Sequence, residues 1–321
     1  MTSQASPFTL HTSDLSRIYG QKTVVKNVSF DLRKGEVLGF LGPNGAGKST
    51  TMQMLTGNLA PSSGSIHVCG IDLLDNPKAA KAKIGYLPET PPLYRELTVD
   101  EYLRFVARLH RVEKSALQEA VERTKQRCGL ADTGKRLIGN LSKGYQQRVG
   151  IAQAIVHNPD VVILDEPTVG LDPIQVREIR ALIRELGGEH SVVLSTHILP
   201  EVESVCDRVQ IMHHGELVFS DSIEGLKRSL KGNRLIIGLH NPPEAEALAK
   251  IEGITAINPL PDGQFIVHFE QDRNPSEKLA QAATNGNWGL YLLNPVHSTL
   301  EDVFVQLTQQ QSASKPEDAQ Q

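Results

Sequence analysis

The chain is poor in cysteine, poor in aromatics and without a large excess of either charge, and each shortage excludes something. Its 321 residues include three cysteines, Cys69, Cys128 and Cys206, far apart and with no CxxC pair. A scattered, odd-numbered set builds no disulfide framework and points to a reducing compartment. Acidic residues outnumber basic ones 37 to 33, a formal charge of −4, so no bulk positive charge directs the chain to nucleic acid. No uninterrupted apolar run approaches the ~20 residues that cross a bilayer. The opening MTSQASPFTLHTSD has neither a basic start nor an apolar stretch, so no secretory signal is visible. With 39% hydrophobic residues and 26 glycines, the composition is that of a globular chain. The expectation is a soluble, cytoplasmic protein of two domains.

What is present is a run of short, strongly apolar segments. Residues 8–32 alternate apolar stretches with turn residues, as in an antiparallel ribbon. Val37 to Leu41 (VLGFL), Val161 to Leu164 (VVIL) and Val192 to Leu194 (VVL) read as strands buried on both faces. Between the last two, Val176, Ile179, Ile183 and Leu186 recur at helical spacing, and Gly187 stops the helix. Strands alternating with helices predict an α/β fold with a parallel sheet. From about residue 88 to 158 no strand pattern interrupts, which predicts a helical insertion, with capping boxes at Thr98–Glu101 and Ser115–Gln118. Beyond Leu226, segments at 234–239, 245–251, 254–257, 265–269, 277–283 and 289–293 follow the order β-α-β-β-α-β of a ferredoxin-like α+β unit. A closing helix is expected over 299–307, and the polar tail 309–321 reads as disordered. The expected domains are therefore 8–228 and 229–308.

Two motifs carry chemistry. Gly42-Pro43-Asn44-Gly45-Ala46-Gly47-Lys48-Ser49 fits G-x-x-x-x-G-K-[ST] between a buried strand and a helix start, and the contact stretch extends to Thr50. Glycines let the backbone wrap inward and turn its N–H groups toward a triphosphate, and the helix start adds its positive end. Lys48 is expected to reach the β- and γ-phosphates, and Ser49 to hold Mg²⁺ through its hydroxyl. The second motif, Val161 to Pro167, ends a buried strand with Asp165 and Glu166. Neighbouring residues there point different ways, so Asp165 suits the Mg²⁺ shell and Glu166 suits polarising the attacking water. The ligands expected are ATP and Mg²⁺.

These residues resemble the ATP-binding subunits of ABC transporters. Leu141-Ser142-Lys143-Gly144-Tyr145-Gln146-Gln147-Arg148 is similar to that family's LSGGQ-x-x-R signature, Gly170-Leu171-Asp172 to its D-loop, and His197 in Ser195-Thr196-His197 to its switch histidine. Tyr19 sits where the family stacks an aromatic ring on adenine. The resemblance covers roughly residues 8–226. It implies a P-loop cassette with a parallel core, an antiparallel β subdomain and a helical insertion. It further implies two cassettes, identical or paralogous, pairing head to tail over two ATPs, with Ser142 and the backbone of Gly144 reaching the γ-phosphate across the interface. His197 would sense that phosphate, and dimer closure and opening would move integral membrane permease subunits. The chain would then lie on the cytoplasmic face of the membrane.

The spelling departs from the family at three points. Lys143 replaces a glycine and Tyr145 a glutamine, and the lysine either adds a cation near the phosphates or points to solvent. Glu89, in YLPE, replaces the Q-loop glutamine; a contact to the membrane partner is open to it, but a metal-side role beside Ser49 and Asp165 is the one expected. YLPE, LSKG and Ser298-Thr299-Leu300-Glu301-Asp302-Val303-Phe304 resemble a subgroup serving exporters, including gliding-motility, copper-enzyme-maturation and drug-efflux systems. A ribosome- or DNA-directed ATPase of the same superfamily fits less well. One cassette is present, and the stretch from Lys48 to Ser142 has no sustained heptads.

Overall fold

In a computed structural model, residues 8–230, 234–270 and 273–295 are described. The expected closing helix at 299–307 and the tail at 309–321 lie outside the described residues. The chain divides into two compact units, one ending at Ile223 and one beginning at Glu224.

In the first unit, β1 (Phe8–Tyr19) and β2 (Lys22–Arg33) form the expected antiparallel ribbon. Next come β3 (Val37–Leu41), α1 (Lys48–Leu55), β4 (Ser63–Val68), β5 (Ile71–Asp72), α2 (Pro77–Lys81) and β6 (Ile84–Leu87). The helical stretch holds α3 (Val99–Leu109), α4 (Leu117–Arg127) and α5 (Lys143–Ile155). After it come β7 (Val161–Asp165), α6 (Pro173–Leu186), β8 (Ser191–Thr196), α7 (Leu199–Val205), β9 (Arg208–His213) and β10 (Glu216–Ser222). The strands make a six-stranded sheet in the order β10-β9-β3-β8-β7-β6 and a four-stranded antiparallel sheet in the order β2-β1-β4-β5. Every pair from β9 to β6 is parallel, and β10 closes the edge as a hairpin with β9 that the apolar pattern did not reveal.

Every residue of β3, β7 and β8 is buried, which is what a parallel sheet covered on both faces requires. Phe30 of β2 packs edge-on against Phe40 of β3, ring centroids 4.9 Å apart, joining the two sheets in one core with Leu10, Leu32, Met52 and Ile66. Complete burial of each such side chain contributes about 1.5–3 kcal/mol. This core sets the carboxyl ends of β3, β7 and β8 side by side, where α/β sheets bind ligands.

Helix α3 starts as expected. Thr98 accepts from the Glu101 amide at 3.3 Å, and the Glu101 carboxylate accepts from the Thr98 amide at 2.9 Å. The second capping box does not form. Helix α4 begins two residues after Ser115 and is preceded by Ala116 with no side-chain cap. The reason is local. A turn from Glu113 to Ala116 comes first, and the Gln118 amide is engaged with Arg104 and Glu122. The insertion is pinned to the sheet by His110, stacked on His157 at 3.6 Å, while His157 Nε2 lies 3.1 Å from the Ile84 carbonyl of β6. Burial, with His110 adding to it, lowers the His157 pKa to about 4, so this contact is between neutral rings near pH 7.

The second unit begins in α8 (Ile223–Leu230) and continues through β11 (Arg234–Leu239), α9 (Ala245–Ala249), β12 (Ile254–Leu260), β13 (Gln264–Phe269), α10 (Ser276–Asn285) and β14 (Leu290–Pro295). Its antiparallel sheet runs β12-β13-β11-β14, the strand order of a ferredoxin-like unit. Leu235, Ile237, Leu239, Phe265, Val267 and Phe269 alternate along β11 and β13 to make its core with Leu248 and Leu279. Among the described residues, no helix is long and apolar enough to cross a membrane.

Candidate functional site

The phosphate loop joins β3 to α1. Gly47 precedes the helix with φ +107°, a left-handed conformation that side-chain-bearing residues rarely adopt, and no side chain caps the helix start. Its first amides therefore have no side-chain acceptor, the arrangement that suits an anion. Gly42 is a glycine for another reason: a Cβ there would stand 2.3 Å from the Met212 carbonyl oxygen. The loop is also tied to the β9–β10 turn by the Gly215 amide, which donates to the Ala46 carbonyl at 2.9 Å.

A cavity of about 440 Å³ opens at this loop. Asn44, Gly45, Gly47, Lys48, Ser49 and Thr50 of the loop and helix start line it together with Glu89, Glu166 and His197, and with Val24 and Val169. Residues from the ends of β3, β6, β7 and β8 are thus brought together from four distant parts of the chain. Gly42, Pro43 and Ala46 belong to the loop but not to this lining.

Lys48 is buried, and its Nζ donates to the Gly42 carbonyl at 2.8 Å and the Pro43 carbonyl at 3.2 Å. Nζ also lies 3.5 Å from Glu166 Oε1. The other oxygen, Oε2, lies 3.0 Å from His197 Nδ1. A carboxylate only accepts, so Nδ1 carries the hydrogen, leaving Nε2 for a second partner. One carboxylate therefore links the loop lysine to the histidine, a contact no spacing rule in the sequence reveals.

Asp165 and Glu166 do diverge, and the backbone shows how. Asp165 ends β7 and accepts from Ser49 Oγ at 3.3 Å. Glu166 has φ +48°, a conformation that costs a non-glycine residue about 1–3 kcal/mol and occurs at functional sites. It is held by its amide, which donates to the Ser195 carbonyl at 2.9 Å. Burial raises the Asp165 pKa, the Ser49 hydrogen bond opposes that shift, and the Glu89 charge adds to it. A cation beside Ser49, Asp165 and Glu89 would relieve both burial and repulsion. Among the described residues, no group of three or more His, Cys, Asp or Glu is placed to hold a metal ion. That is compatible with Mg²⁺, which takes one or two carboxylates together with substrate phosphates.

Other expected residues lie apart from the cavity. Ser142 caps α5, accepting from the Tyr145 amide, and Gly144 is buried against Gln175 of α6. Neither lines the cavity. Lys143 is exposed and also lies outside the lining; its Nζ rests against Gly170, 2.0 Å from where a Cβ would stand. Tyr145 is exposed near Arg148, whose guanidinium is 6.0 Å from the ring centre. Asp172 caps α6, accepting from Ile174 and Gln175 at 3.0 and 2.9 Å. Tyr19 closes β1 outside the lining, 46% exposed, with Arg17 4.5 Å from its ring centre. Nothing in the sequence marks Glu201, since an acid in the first turn of a helix reads as a solvated partner of the helix dipole. It is instead buried, accepting from the Thr168 and Thr196 hydroxyls.

A phosphate loop, an acidic strand end and a neighbouring histidine on this sheet define a P-loop nucleoside triphosphatase. The comparisons with known proteins narrow the class. The ABC transporter family model matches residues 25–169, and the model for the C-terminal domain of DrrA1-3-like ATP-binding proteins matches residues 222–308. The chain is 34% identical over 301 residues to the bacitracin transport ATP-binding protein BcrA of Bacillus licheniformis, covering 93% of this chain and 96% of that one. It is 32% identical over 304 residues to the linearmycin resistance ATP-binding protein LnrL of Bacillus subtilis, covering 93% and 98%. A solved ATP-binding subunit of an ABC transporter, 32% identical, superposes with a TM-score of 0.63 over 68% of this chain and 92% of its own. The chain belongs to the ATP-binding subunits of ABC transporters, in the exporter-type group of the DrrA- and BcrA-like proteins. It is an ATPase that energises a transporter and works with membrane permease components.

Proposed function

We propose that this subunit drives export by closing as a head-to-tail pair of cassettes, identical or paralogous, over two ATPs on the cytoplasmic face of the membrane. The observation that carries the reading is the separation of the phosphate machinery within one chain. The cavity holds Lys48, Ser49, Glu166 and His197, while Ser142 and Gly144 lie outside its lining at the start of α5. A second cassette supplying those two to the γ-phosphate would complete the donor set. Cleavage then removes the contacts that favour the closed pair. Export is supported by relatives named for bacitracin transport and linearmycin resistance, since resistance to a toxic compound is served by its removal.

In this reading Lys48 and the loop amides bind the phosphates, and the uncapped start of α1 favours their charge. Ser49, Asp165 and Glu89 would hold Mg²⁺, which when bound neutralises phosphate charge. Glu166 takes the proton of the attacking water, and His197 orients it. Tyr19 offers the ring face not covered by Arg17 to adenine, and Asp172 fixes the D-loop at the interface.

The reading is tested by purifying the tagged chain from detergent-solubilised membranes. Recovery with an integral membrane protein, and ATP-dependent pairing of the cassettes, are the expected results. Recovery without any membrane protein, together with a monomer at saturating ATP, overturns it. Glu89 has its own test. In Glu89→Ala, the Mg²⁺ concentration giving half-maximal ATPase activity should rise about tenfold. An unchanged Mg²⁺ dependence removes Glu89 from the metal site.

A further inference from the structure

We propose that Glu201 is a positioning residue for hydrolysis: its buried carboxylate joins the turn that follows Glu166 to the turn that carries His197, and so sets the distance between those two side chains. The proposal rests on the reading that Glu166 and His197 act at the γ-phosphate.

Glu201 lies in the first turn of α7, yet its side chain is 1% exposed. Burying a carboxylate is costly unless donors surround it, and here three elements supply them. Oε1 accepts from the Thr168 hydroxyl and lies 3.5 Å from the Arg180 guanidinium of α6. Oε2 accepts from the Thr196 hydroxyl at 2.7 Å.

The two threonines are placed where they matter. Thr168 stands two residues after Glu166, in a turn closed by the Val169 amide donating to the Glu166 carbonyl at 3.3 Å. Thr196 immediately precedes His197, and its Oγ1 accepts from the Ile198 amide at 3.1 Å, closing a turn around the histidine. One carboxylate thus clamps both turns, while Glu166 itself holds a strained φ of +48° that only an over-determined surrounding maintains. Displacing a reacting group by ~1 Å costs ~10²-fold in rate, so a loosened clamp acts on turnover. Neither Glu201 nor Thr168 lines the nucleotide cavity, so binding should be spared.

The test uses the full chain with ATP, measuring kcat, KM, nucleotide Kd and the thermal midpoint. Glu201→Gln keeps the volume and replaces an acceptor by a donor. Thr168→Val removes one hydroxyl at constant shape, and Thr168→Ser restores it. Glu201→Gln and Thr168→Val should each lower kcat by about tenfold or more, with KM and Kd within about twofold and Thr168→Ser near the parent rate. In a His197→Ala background, Glu201→Gln should lower the residual rate by less than about twofold, because the geometry it guards has been removed. The proposal is overturned by kcat within about twofold of the parent in Thr168→Val, by an equal loss in Thr168→Ser, or by an undiminished effect of Glu201→Gln in the His197→Ala background. If Glu201→Gln does not fold, the two threonine variants decide. If Glu166→Gln and His197→Ala both turn over at the parent rate, the assignment of that pair is what fails, and the role of Glu201 falls with it.

Discussion

Glu166→Gln should retain ATP, lose turnover by about 10²–10⁴-fold and accumulate as an ATP-bound pair of cassettes. The magnitude is that of removing a positioned general base. The substitution keeps the side-chain volume, and the amide oxygen still accepts a hydrogen bond, but the group no longer takes a proton from water. It also removes the negative charge 3.5 Å from Lys48 Nζ and 3.0 Å from His197 Nδ1. A more positive phosphate site holds ATP at least as well, so binding and turnover should part company. Phosphate release gives the rate, and light scattering after gel filtration with ATP gives the mass. A monomeric variant hydrolysing at the parent rate would show that Glu166 is not the base.

Lys48→Ala should weaken ATP binding by about 1.5–3 kcal/mol, the range for a hydrogen bond to a charged group, or about 10- to 150-fold in Kd. Lys48 is the cation embedded in the loop, with Nζ within 3.2 Å of two loop carbonyls. In the proposed reading its loss would remove a phosphate donor and leave Glu166 with no lysine beside it. Lys48→Met, which keeps the stem, separates the charge from the packing of the methylenes. Fluorescent-nucleotide titration should place both variants together, well below the parent. An affinity within twofold of the parent in both would exclude Lys48 from phosphate binding.

These two effects concern groups that the sequence marks clearly. The loop from Gly42 to Ser49 is legible because its chemistry is local. Backbone amides, a left-handed glycine and a helix start come from consecutive residues, so few other sequences satisfy the geometry. The buried strands β3, β7 and β8 are legible for a related reason. A strand covered on both faces must be apolar at every position, and short unbroken apolar runs are visible without a partner. The Thr98 capping box was equally local and formed as expected. The one at Ser115 did not, because Gln118 found partners in Arg104 and Glu122, one of them on another helix.

The sequence by itself determined the glycine-rich loop from Gly42 to Ser49 at the start of a helix and the alternation that makes the sheet, since both are set by neighbours in the chain. Only the tertiary structure decided that Glu166 stands between Lys48 and His197, that its backbone turns left-handed, and that Glu201 is buried against Thr168, Thr196 and Arg180. Those arrangements depend on strands β7 and β8 lying in register beside the phosphate loop. The energy of a buried carboxylate is fixed by donors from remote segments, and no property of its own stretch of chain carries that information.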